Sequence, residues 1–124
     1  MLKVVPISKS EEQERVCRVC GLEYDKLQFA YAVYNDDEVI GASQFCIKNE
    51  IGYITDQKVL NDDIPVTMLL GRSVLNFLDL HGISEAYFEK QGGFYDKAAK
   101  IIGYKEKDGK FYAYLPGMFT AGHH

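Results

Sequence analysis

Tryptophan is missing from this chain, and cysteine and proline occur only three times each in 124 residues. Three cysteines, Cys17, Cys20 and Cys46, are too few and odd in number for a disulfide framework, so reduced thiols are expected. No run of Lys or Arg forms the basic stripe that phosphate backbones or anionic lipids require, and the net charge is −4 with a pI near 5.3. Nucleic acid and membrane surfaces are therefore not expected partners. No apolar stretch is long enough to span a bilayer, and the opening residues MLKVVPISKSEEQE are too weakly apolar for a signal peptide. The expectation is a cytoplasmic protein. Nine tyrosines and seven phenylalanines replace the missing tryptophan, as suits a domain built partly on a sheet.

The length fits one domain spanning residues 1–124, with a short tail from 118 to 124. Repeats, linkers and low-complexity tracts are absent. Cys17-x-x-Cys20 could be half of a zinc site, but no second pair exists. His123 and His124 close the chain, where a cloning remnant is an alternative origin. On a helix the two cysteines share a face with Val16 and read as packing residues, so no metal is expected. Met118 and Phe119 follow the last strand as two large apolar side chains, and their expected exposure points to a homodimer.

The clearest element lies between Asn61 and Ile83. Val66, Leu69, Leu70, Ser73, Val74, Phe77 and Leu78 recur at helical spacing on one face, with Arg72, Asn76 and Asp79 opposite. Asp62 and Asp63 precede Pro65 as start signals, and Gly82 marks the end. Free N–H groups at Val66, Thr67 and Met68 would then make the helix start a potential anion site.

Around this helix, Lys3 to Ile7 reads as a strand, followed by a helix to about Gly21. Ser8 or Ser10 offers the N-cap, with Glu11 or Gln13 completing a capping box. Alternation from Phe29 to Tyr34, the Asn35-Asp36-Asp37 turn, Val39 to Ile47, the Lys48-Asn49-Glu50 turn and Ile51 to about Leu60 make an antiparallel meander. Ile83 to Glu89 is strand-like and returns beside the preceding strand by a crossover. Phe94, Ala98, Ile101 and Ile102 keep helical spacing, with Asp96 and Lys100 as an i,i+4 pair and Gly103 as the cap. Asp108-Gly109 turns a final hairpin, from Tyr104–Lys107 to Lys110–Leu115. The order β-α-β-β-β-α-β-α-β-β indicates an α/β fold: one mixed, mostly antiparallel sheet with helices packed on it.

That order, with the phrase KAAKIIGYKEKDGKFYAYL, resembles the GNAT superfamily of N-acetyltransferases, in which a helix ending in Gly-Phe or Gly-Tyr leads into a closing hairpin. The likeness runs from Lys3 to Leu115. It implies acetyl-CoA or another acyl-CoA as donor and a small-molecule or peptide amine as acceptor. The family's pyrophosphate pattern, Gln/Arg-x-x-Gly-x-Gly/Ala, falls on Asp62-Asp63-Ile64-Pro65-Val66-Thr67, where Asp, Pro and Thr stand for the amide or base and the two glycines. Backbone donors at Val66, Thr67 and Met68 remain the implied phosphate contacts, and the backbone at Val59 and Leu60 the implied thioester contact.

The family's general acid, a tyrosine four residues before the glycine, maps onto Ala99, leaving Tyr95 one turn earlier as the candidate. Asp56, on the implied central strand, is the candidate base. Two functional classes follow: a GNAT-like N-acyltransferase, or a non-catalytic GNAT-like module kept for binding or interaction after loss of acyl-CoA activity.

Overall fold

The computed structural model describes residues 1–119, so His123 and His124 lie outside it. Ten elements follow the expected order: β1 Leu2–Pro6, α1 Ser10–Cys20, β2 Phe29–Asn35, β3 Glu38–Lys48, β4 Ile51–Val59, α2 Ile64–Leu80, β5 Glu85–Phe88, α3 Gly93–Ile102, β6 Lys105–Lys107 and β7 Lys110–Tyr114. The strands form one sheet in the order β1-β2-β3-β4-β5-β7-β6. Among the described residues only β4 and β5 pair in parallel, joined by the α2 crossover; the other pairings there are antiparallel.

Tight turns set the hairpin registers. Asn49 and Glu50 (φ 51° and 64°) join Lys48 to its partner Ile51, and Asp108 and Gly109 (φ 54° and 78°) join Lys107 to Lys110. Both pairs adopt the left-handed geometry whose twist matches the flanking strands.

Helices cover both faces of the sheet. Val16 and Cys20 of α1 pack on Ala32, Val39 and Ala42. Cys17 is buried on the same helix, and burial pushes both thiols up to about 11, which keeps them protonated packing groups. On the opposite face, Val74, Leu75, Leu78 and Ala99 of α2 and α3 join Phe45, Ile54, Ala86, Phe88 and Phe111 in the main core. Gly52 lets α2 lie against β4, because a Cβ there would stand 2.5 Å from Leu78 Cδ1.

Several side-chain expectations fail. The N-cap of α1 is Lys9, with no side-chain bond, because Gln13 is buried and turned to β3 instead of reaching back for a capping box. The buried stripe of α2 is Val66, Thr67, Leu70, Gly71, Val74, Leu75 and Leu78, whereas Leu69 is 42% exposed and Phe77 half-buried. The stripe is rotated because α2 packs on α3 as well as on the sheet. On α3, Ala98 and Ala99 are buried and Ile101 is exposed. Asp96, expected to pair with Lys100, instead accepts the N–H groups of Gln91 and Gly92 at 3.0 and 2.9 Å. Met118 and Phe119 lie partly buried against the main core, which removes the exposure that motivated a dimer.

Candidate functional site

The site begins where β4 loses a neighbour. The β4–β5 ladder ends at Ile54↔Phe88, yet β4 runs on to Val59. At the same point the β3–β4 register shifts: Gln44 pairs with Asp56 and Phe45 with Ile54, leaving Thr55 without a partner. An extra residue in one strand bends it and increases its twist. Because β5 ends at Phe88, β4 continues past the bulge at Thr55 to Val59 with no strand beside it on that side, and the sheet splits there.

One edge of the split is lined by the Val59 peptide. Its N–H donates to the Tyr95 hydroxyl at 3.1 Å, and that hydroxyl lies 3.5 Å from the Val59 carbonyl oxygen. A side chain from α3 therefore occupies the backbone groups that a neighbouring strand would otherwise take. Gly92 and Gly93, with φ of 83° and 55°, turn the chain from β5 into α3 so that Tyr95 faces the split. At the far end of α3, Ile102 reaches so close to Gly71 that a Cβ there would lie 2.7 Å from Ile102 Cδ1. Burial pushes the Tyr95 hydroxyl pKa up, the Val59 N–H pulls it down, and nearby Asp62 raises it again. The net shift is upward, so the group is a proton donor at neutral pH.

Asp56 lies beside the bulge, facing α1 and the loop that follows it. Burial raises its pKa, against the lowering effect of the Gln57 N–H, and Glu23 adds to the rise. With Glu23, Asp25, Gln44 and Thr55 it lines a cleft of about 610 Å³. A second cavity, of about 210 Å³, is lined by Thr55, Ile54, Glu89 and the stacked pair Tyr53 and Tyr87.

The helix start differs from the expected anion site. Asp63 is the N-cap, and its carboxylate accepts the Val66 N–H at 3.0 Å. The Thr67 N–H bonds the Asp63 carbonyl at 2.9 Å, and Met68 stands a full turn inside the helix. The helix begins at Ile64, two residues earlier than an open Val66 would need, and Pro65 has no N–H to offer. Leu60 opens a short 3₁₀ turn to Asp62 in which Asn61 and Asp62 are left-handed, at φ 62° and 48°. Asparagine and aspartate tolerate that conformation where other side chains resist it.

The structure thus brings Tyr95 and Val59 together and sets Asp56 on the same strand three residues away, or about 10 Å at roughly 3.3 Å per residue. Ala99 is fully buried and offers no hydroxyl. Gln28 and Gln44, which shape the cleft, escaped the sequence reading, and Gln13, expected in a capping box, joins them instead. Gln44, a polar residue inside the apolar strand VIGASQFCI, is the signal that could have found them.

No protein-family model matches the sequence, and no curated protein does. Solved structures resemble it closely in shape. An N-acetyltransferase from Staphylococcus aureus aligns with a TM-score of 0.73 at 10% identity, covering 94% of this chain and 99% of that one. An acetyltransferase of the GNAT family from the same organism gives 0.65 at 11%, with 93% and 99% covered. The fold is the GNAT fold. A third neighbour, a Bacillus subtilis acetyltransferase in complex with CoA, gives 0.67 at 10% identity over 93% and 99%. At such identities the likeness carries the GNAT architecture, while activity rests on the residues of the site.

Proposed function

We propose that the chain is a GNAT-like N-acyltransferase, cytoplasmic, using acetyl-CoA or another acyl-CoA as donor and a small-molecule or peptide amine as acceptor. The observation that carries this reading is the split beyond Ile54, with the Val59 peptide facing into it and two polar side chains of opposite protonic character near by. The residues fit the thioester end of the donor: a strand edge whose peptide groups are held by a side chain, Tyr95, rather than by another strand can take an amide-bearing arm once that side chain moves. They fit the diphosphate end less well, because Asp62, Asp63 and Pro65 stand there and Asp63 caps Val66. Remaining support at that end comes from the Ile64 N–H and the helix dipole.

When bound, acyl-CoA supplies an acyl group already activated as a thioester. The Val59 N–H, once released by Tyr95, is the donor available to a developing oxyanion, and Leu60 continues the same edge. Asp56 is the proton acceptor for the incoming ammonium. Its distance from Val59 means that the proton travels through water in the cleft rather than by direct contact. Tyr95, displaced from Val59, gives its hydroxyl proton to the leaving thiolate and regains one from the nitrogen of the new amide through water in the cleft.

A binding or interaction module without catalysis is the second reading. It is favoured by the Tyr95 hydroxyl filling the split and by the two carboxylates at the helix start. Acetyl transfer from acetyl-CoA to a panel of primary amines separates the two. Turnover that falls in Asp56→Asn supports the enzyme; no CoA binding and no turnover in the wild type supports the module.

A further inference from the structure

Two buried glutamines do work that the fold itself does not need. Gln44 is 1% exposed in the middle of β3, and Gln13 is 7% exposed on α1. Gln44 Oε1 accepts the Gln13 Nε2–H at 2.9 Å and the Asp25 N–H at 3.0 Å, while Gln44 Nε2 donates to the Glu23 carbonyl at 2.7 Å. Gln13 Nε2 also lies 3.1 and 3.2 Å from the carbonyls of Asp25 and Gln28. Four backbone groups between Glu23 and Gln28, a stretch with neither helix nor strand, are thereby held by two side-chain amides. An apolar pair would fill the same space without desolvating two amides, so the network specifies shape more than stability.

The same loop is tied to the bulge. Asp25 accepts the Leu27 N–H at 2.9 Å and the Gln28 amide at 3.0 Å, and Gln28 Oε1 accepts the hydroxyl of Thr55. Loop, bulge and Asp56 therefore share the walls of the 610 Å³ cleft.

We propose that Gln44, acting with Gln13, is the positioning residue of the acceptor side: it fixes residues 23–28 over Asp56 and so sets the affinity for the amine. This rests on the N-acyltransferase reading above. The cleft carries Glu23, Asp25 and Asp56 against Lys26, which suits a positively charged acceptor as it arrives.

The test is Gln44→Met, close in shape but unable to make the three bonds, assayed with acetyl-CoA and three amines: cadaverine, lysinamide and benzylamine. For the amine that the wild type acetylates best, KM should rise about tenfold, as expected for loss of one or two well-placed hydrogen bonds. The kcat, and the CoA affinity measured by calorimetry, should stay within roughly twofold, and amide exchange across 23–28 should accelerate. Gln44→Glu, which keeps the acceptor for Gln13 and Asp25, should recover part of the KM. Faster loop exchange with unchanged amine KM overturns the proposal, as does a parallel fall in kcat and CoA affinity. If Gln44→Met fails to fold, Thr55→Val, which cuts the exposed tie to Gln28, is judged by the same split. CoA binding by a wild type that acetylates none of the three amines overturns the acceptor assignment alone, whereas absence of CoA binding removes the parent reading.

Discussion

At the scale of single residues, Tyr95 and Asp56 carry the account, and each makes a distinct prediction. Tyr95→Phe removes the hydroxyl from the Val59 N–H. It should lower stability by about 1 kcal/mol and tighten CoA binding by up to about tenfold, because the arm no longer competes with a resident partner. Transfer should nevertheless fall by about a hundredfold, the lower end of what a general acid contributes. Calorimetry and steady-state kinetics on one preparation check both, and binding and turnover that fall together would reduce Tyr95 to a packing residue. For Asp56 the sign follows from burial. Its folded pKa lies above the ordinary 3.8, so ionisation is disfavoured in the folded state, and the stability that the protonated acid supports is lost as pH rises through the raised value. Asp56→Asn should accordingly raise Tm at neutral pH while leaving it unchanged below about 3.8. An equal gain at both pH values would mean that desolvated charge is not the cause.

At the scale of elements, α2 separates what local pattern can tell from what only packing decides. Its existence, its Asp63 cap and its end near Gly82 follow from capping chemistry and apolar spacing, both local properties. Of its expected buried face Val66, Leu70, Val74 and Leu78 hold, whereas Leu69 is exposed and Thr67, Gly71 and Leu75 are buried instead, because a second helix covers one flank through a contact between residues about thirty positions apart, Gly71 and Ile102. Leu75→Ala, at a fully buried site, should cost about 2–5 kcal/mol, whereas Leu69→Ala should stay near the roughly 0.5 kcal/mol typical of surface changes. Urea unfolding of the two variants measures both, and equal losses would restore the original face. The hairpins were legible for the opposite reason: Asp108-Gly109 and Lys48-Asn49-Glu50 determine their own backbone geometry. The bulge at Thr55 was not legible, because one unpaired residue leaves no mark on the alternation of a strand with polar residues on both sides.

At the scale of the whole molecule, the seven-stranded sheet of the described residues is interrupted at the split between β4 and β5. Parallel pairing there follows from the crossover and was readable in the order of elements. What fills the split was only partly readable: Tyr95 was a candidate from its helix face, but its bond to Val59 depends on how Gly92 and Gly93 aim α3. The helix start illustrates the same limit. Its acidic composition was plain, whereas the loss of the Val66 N–H to Asp63 depended on where the first turn began. The central claim is that an acyl-CoA arm enters the split and takes the Val59 peptide from Tyr95. Titrating CoA into isotope-labelled protein, followed by amide NMR, tests it most directly. The amide of Val59 and those of α3 around Tyr95 should shift together and saturate on one binding curve. Saturable shifts elsewhere with Val59 unmoved, or no shifts at millimolar CoA, would contradict the claim.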